Sequence, residues 1–139
     1  MRVIAALLLL ATAAVGQNHF VYTNDNNTPN TVSAFQVAAN GSLSLIAGSP
    51  FATGGNGGGS NIDPREITIV RSGTASFLFA ANNGDGTVSA FRINPTSGRL
   101  RAVAGSPFLV DGPSGGNHSL AGSPDGQFLF ATGDSTTVI

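Results

Sequence analysis

Three side chains in this sequence set reactive chemistry at or just before the start of a strand: His118, Arg65 and Glu66. His118 stands in Gly115-Gly116-Asn117-His118-Ser119. An imidazole titrates near neutrality, so His118 is a candidate general base that takes a proton from water as it attacks a carbonyl carbon. Arg65 follows Asp63-Pro64. A guanidinium there can clamp a carboxylate or phosphate, or polarise a developing oxyanion. Glu66, beside it, is the only glutamate in the chain. Each has a structural alternative. His118 would tie its loop to a turn, and Arg65 with an acid would form an ion pair on a solvated rim, worth ~0–1 kcal/mol. Arg71 is a weaker candidate in the same segment.

Other chemistry is thinly represented. There is no G-x-S-x-G, no H-E-x-x-H and no phosphate-cradling GK[ST]. The glycine-rich stretch Gly54-Gly55-Asn56-Gly57-Gly58-Gly59 lacks the lysine and following helix of a phosphate loop, and is expected to be a flexible loop. Asp25, Asp85, Asp125 and Asp134 fall in turns without the spacing of a calcium loop, so side-chain capping of tight turns is their expected role. Asn26, Asn40 and Asn117 open N-x-[ST] sequons. The chain has no cysteine, which excludes disulfides and thiolate metal sites. Neither a cofactor nor a metal is expected.

The elements that must position these groups are repeated. Phe20, Phe77 and Phe128 head three copies, 57 and 51 residues apart. Thr31-Val32-Ser33-Ala34-Phe35 returns from Thr87 onward, and Ala47-Gly48-Ser49-Pro50-Phe51 returns from Ala104 onward. Strands are expected over 20–24, 31–37, 43–47, 66–70, 77–82, 87–93, 99–104, 119–122 and 127–132, with a further start at 136–139. Turn residues such as Asn40-Gly41 separate them. Four short strands per cycle without helical periodicity fit the blade of a β-propeller, with recurrent phenylalanines filling the space between blades. The expected fold is all-β: a propeller fragment of about two and a half four-stranded blades after a signal peptide. Its repeats span 20–76, 77–127 and an incomplete 128–139. By analogy with other propellers, the strand that leads into Ser123-Pro124-Asp125-Gly126 lines the central channel. His118 and the Arg65-Glu66 pair then occupy matching rim positions one blade apart. The first blade starts at its second strand and the last stops part-way, which points to a fragment, or to a chain that self-associates through open blade edges.

Residues 1–16 read as a secretory signal peptide, and 17–139 as the propeller. Met1-Arg2 is a positive start, 3–14 is apolar apart from Thr12, and Ala14-Val15-Gly16 supplies small residues before Gln17. The apolar run falls short of the ~20 residues that span a bilayer. The expectation is a secreted or periplasmic protein with no membrane association after cleavage. Charged residues make up 9% of the chain and the net charge is −1, so nothing favours nucleic acid as a partner.

The combination of TVSAF, AGSPF and a loop leading into SPDG-x-FLF resembles the lactonase-type seven-bladed β-propellers. That family includes cofactor-free 6-phosphogluconolactonases. The resemblance covers nearly all of the chain after residue 17. It implies a metal-free hydrolase of a sugar lactone as the activity of the full form, and a small-molecule lactone as the partner. It also implies that His118, whose setting is comparable to the Pro/Gly-His-Ser of the related lactonases, approaches the substrate. The alternative is a non-catalytic propeller that serves as a binding or scaffold module at the cell envelope.

Overall fold

Glycine, asparagine and proline recur too often here for a helix to establish itself, and the apolar residues between them favour extended chain. The computed structural model describes residues 18–59, 66–110, 119–133 and 137–138, and every regular element among them is a strand. The first sheet holds β1 (His19–Asn24), β2 (Thr31–Val37), β3 (Leu43–Leu45) and β4 (Phe51–Ala52). The second holds β5 (Ile67–Ser72), β6 (Ala75–Asn82), β7 (Thr87–Ile93), β8 (Leu100–Ala102) and β9 (Phe108–Leu109). The third holds β10 (Ser119–Gly122), β11 (Leu129–Thr132) and β12 (Thr137–Val138). Neighbours within each sheet pair antiparallel in chain order, with β4 returning to β2 and β9 to β7.

The outer position of each of the first two sheets carries a broken strand, which corrects the single strand expected there. β3 and β4 both pair with β2, and β8 and β9 both pair with β7. The repeated Gly-Ser-Pro lies in the break. Gly48 and Gly105 turn the chain at φ of 93° and 85°, a region that favours glycine. The serine that follows replaces the lost ladder acceptor: Ala34 N–H donates to Ser49 Oγ, and Ala90 N–H donates to Ser106 Oγ, both at 2.9 Å. The recurrence of AGSPF therefore has a physical reason, since a buried N–H left without an acceptor costs about 1–3 kcal/mol.

Two apolar cores separate the three sheets, and β6 feeds both. Leu78 and Ala80 face the first sheet and join Val32, Phe91, Ile93 and Leu100. Ala81 and the partly buried Phe79 face the third sheet and join Val70, Val88, Leu120 and Leu129. Burial on both faces explains why FLFAA reads as an unbroken apolar run rather than an alternation. The innermost strands β5 and β10 lie side by side, where Gly122 leaves room for the Val70 side chain. The arrangement is that of adjoining propeller blades. The phenylalanines contribute less than expected: Phe91 is buried, while Phe108, Phe128 and Phe130 are exposed, and the fully buried large side chains include Leu78, Val32 and Val88.

Tyr22 ties the first two sheets together. Its hydroxyl donates to Gly98 O at 2.7 Å, in the turn between β7 and β8. That turn seats so closely that a Cβ on Gly98 would meet the Phe20 ring at 2.5 Å. Burial pushes the Tyr22 hydroxyl from the ordinary 10 up to about 12. The folded-state value is raised, so the associated stability is fully present below pH 10 and is lost as pH rises toward 12. Tyr22 is the only tyrosine in a chain without tryptophan. Its ultraviolet phenolate band therefore reports this contact alone, and should appear with a midpoint well above that of free tyrosine. A midpoint at the free value would show the contact absent.

Candidate functional site

β1 and β6 run toward one end of the sheets, β2 and β7 leave from it, and β5 begins there. Their ends gather polar side chains at the seam between the first two blades. Glu66 immediately precedes β5 and is only 3% exposed. Asn83 Nδ2 donates to Glu66 Oε1 at 2.5 Å, and Asn24 Nδ2 reaches Glu66 Oε2 from the neighbouring blade at 3.3 Å. Asn24 also donates to Ala81 O at 2.9 Å. The backbone of Glu66 is fixed too, because its carbonyl accepts from Ala81 N–H at 2.8 Å. Both carboxylate oxygens are thus met by amide donors, one from each blade. The solvated rim suggested for this residue does not describe it: Glu66 is buried.

Beside Glu66 lies a second buried group. Asn30 and Asn82 are fully enclosed, and Asn30 Nδ2 donates to Asn82 Oδ1 at 2.9 Å. Asn82 Nδ2 in turn donates to Thr87 Oγ1 at 2.9 Å and Ser89 Oγ at 2.8 Å. The Thr87 hydroxyl donates to Asp85 Oδ1, and Ser89 donates to Thr53 O. Asp25 plays the corresponding part in the first blade by accepting from Thr31 Oγ1 at 2.6 Å and Ser33 Oγ at 2.9 Å. The recurrent T-x-S places two hydroxyls on one face of a strand, and each pair gathers around the Asp or Asn that follows the preceding strand or ends it.

The glycine-rich stretch is not the flexible loop expected from its composition. Residues 53–59 are docked between the blades. Gly57 N–H donates to Asn27 O, Gly58 N–H to Asn26 Oδ1, Asn56 N–H to Asp85 Oδ2 and Gly84 N–H to Asn56 O, at 2.6–2.9 Å. Glycine is required by proximity: a Cβ at Gly55 would lie 2.5 Å from Asn82 Nδ2, and one at Gly84 would lie 2.5 Å from Gly57 O. Asp125 takes the turn-capping role by accepting from Ser123 Oγ and Gln127 N–H, whereas Asp25 and Asp85 accept from strand hydroxyls and, for Asp85, from Asn56 N–H.

Of the residues singled out for chemistry, Glu66 is placed at the start of the innermost strand of its blade. Arg65, His118 and Asp134 lie outside the described residues. Arg71 lies on β5 and is exposed. Asn24 and Asn83, which hold Glu66, are not evident from sequence, because Asn24 reads as the end of a strand and Asn83, beside Gly84, as a turn former. A cleft of about 310 Å³ between the second and third sheets is lined by Phe77, Phe79, Phe108 and Phe128, with no ionisable side chain among the described residues that line it.

The family described as Lactonase, 7-bladed beta-propeller matches the chain over residues 11–115. The matched span includes Arg65 and Glu66 and ends before His118. No curated protein and no solved structure matches the chain.

Proposed function

The chain belongs to the seven-bladed lactonase propeller family, and from that premise we propose that in a complete ring it is an exported hydrolase of a sugar lactone. Water attacks the lactone carbonyl, and His118 accepts its proton as general base. Arg65 stabilises the oxyanion or holds an anionic group on the sugar, and Glu66 supplies a fixed carboxylate next to it. No step of this scheme calls on a metal. The observation that carries the reading is the buried Glu66, clamped by Asn83 and Asn24 at an inner-strand start within the matched span. A catalytic group gains from being held by residues that are themselves locked in place.

One observation favours a second reading, a non-catalytic binding or scaffold propeller. Both Glu66 oxygens already accept from amides, as in a purely structural carboxylate.

Hydrolysis of phosphorylated and unphosphorylated sugar lactones by the full chain separates the two. His118→Ala is expected to lower kcat by about 10²–10⁴-fold, the usual contribution of a general base. Arg65→Ala should raise KM for the phosphorylated lactone more than for the unphosphorylated one. Full activity in His118→Ala would end the catalytic assignment, and absence of hydrolysis by the complete ring would favour the binding module.

A further inference from the structure

The sequence contains three Asn-Gly pairs, and the fold treats them very differently. Asn83 is buried against Glu66, and Gly84 N–H is tied to Asn56 O. Asn56 is followed by Gly57, whose N–H donates to Asn27 O at 2.7 Å and whose Cα is pressed against the Asn26 backbone. Asn40 and Gly41 form the exposed tip between β2 and β3. Gly41 sits at φ of 82° with nothing within 4 Å of a Cβ position. Its N–H bonds only within the turn, to Ala38 O at 2.9 Å.

Asn40 is also polarised. Its Oδ1 accepts from Ser42 N–H at 3.0 Å and from Ser42 Oγ–H at 2.8 Å. Those donors lie where negative charge develops if a nucleophile adds to the side-chain amide carbon, which is the geometry of an oxyanion hole.

We propose that Asn40 is a built-in site of self-modification: its amide carbon is attacked by Gly41 N, and the residue converts to aspartate and isoaspartate. In the first step the Gly41 N–Cγ bond forms and the Cγ–Nδ2 bond breaks. Ammonia departs, carrying the proton from Gly41 N, and a five-membered succinimide remains. Water then adds to either ring carbonyl and opens the ring, giving a carboxylate at the side chain or, for isoaspartate, at the former backbone carbonyl. Water is the only co-reactant, and each event adds one negative charge. Asn56 and Asn83 react only after contacts between segments open, which is a costlier fluctuation than loosening one exposed turn.

The test incubates the full chain in mildly alkaline buffer and follows chymotryptic peptides by mass. Peptide 36–51, cut after Phe35 and Phe51, contains Asn40 and no other asparagine. Asn40 is expected to gain one mass unit and an isoaspartate label more than roughly tenfold faster than Asn56 or Asn83. In denaturant the three rates should converge. Ser42→Ala, at an exposed tip, should slow Asn40 by roughly tenfold or more through loss of an oxyanion donor. The proposal is overturned if Asn56 or Asn83 converts as fast as Asn40 in the folded chain, if the rate differences persist in denaturant, or if Ser42→Ala leaves the rate unchanged.

Discussion

Asn82→Ala is expected to lower the unfolding free energy by about 2–4 kcal/mol, with most of the loss coming from partners left unsatisfied rather than from volume. Asn82 is 0% exposed and serves three groups at once. It accepts from Asn30 across the blade seam and donates to Thr87 and Ser89 within its own blade. Alanine removes the acceptor that Asn30 has across the seam, leaving its amide with Asn24 Oδ1 and Ala81 O, and leaves Thr87 Oγ1 and Ser89 Oγ without their shared donor. Asn82→Asp is the informative companion. The corresponding residue of the first blade is an aspartate that accepts from both hydroxyls of its T-x-S, so the second blade has a precedent for the same exchange. Aspartate keeps an acceptor for Asn30, but Thr87 and Ser89 can donate to it only by releasing Asp85 Oδ1 and Thr53 O. With a charge buried as well, it should cost at least as much as alanine. Denaturant unfolding read through Tyr22 measures both, as midpoint shifts at constant slope. A loss under about 1 kcal/mol for Asn82→Ala would mean that the seam does not depend on this network.

Gly57→Ala is expected to cost at least about 3 kcal/mol, because the clash is with backbone and no rotamer relieves it. The added Cβ would stand 2.3 Å from Asn26 C and 2.4 Å from Asn26 O. The segment would have to lift away, giving up the Gly57–Asn27 and Gly58–Asn26 hydrogen bonds. Gly59→Ala is the control two residues on. It has open space for a Cβ but a φ of 70°, so only the backbone penalty of roughly 1–2 kcal/mol applies. Thermal unfolding should rank Gly57→Ala well below Gly59→Ala. Equal losses would mean that the stretch is not seated between the blades.

Much of this architecture can be read from the repeat. β2 and β7 match the expected strands over 31–37 and 87–93, because TVSAF combines β-branched residues with a clear stop on either side. The broken outer strand was less legible. Gly-Ser-Pro reads as the end of a strand, and only the hydroxyl bonded back to Ala34 or Ala90 reveals that the chain resumes pairing afterward. At the site, Glu66 stands out in the sequence as the lone glutamate, but its burial does not, since the adjacent arginine suggests an exposed pair. The asparagines around it are harder still. Their type signals turns, and nothing local indicates that Asn24 and Asn83 converge on one carboxylate from two blades. One signal was present: hydroxyls spaced two apart, at Thr31 and Ser33 and again at Thr87 and Ser89, beside an Asp or Asn. Polar residues that recur on one face of a strand need a shared partner if that face is covered.

The interrupted outer strand has a further consequence for how the protein behaves in company. A sheet margin invites a passing chain to dock along its row of free amides and carbonyls, and many proteins deter this with charge. This chain has charge at only 9% of its positions and leaves Leu43, Leu45 and Leu109 on that margin. Here the deterrent is geometric. No continuous run at the outer margin of the first two sheets exceeds the three residues of β3 or β8, and Pro50 and Pro107, which carry no N–H, separate β3 from β4 and β8 from β9. A visiting strand would find too short a template to grip, so the rim can stay sticky in composition yet unreceptive in hydrogen bonding.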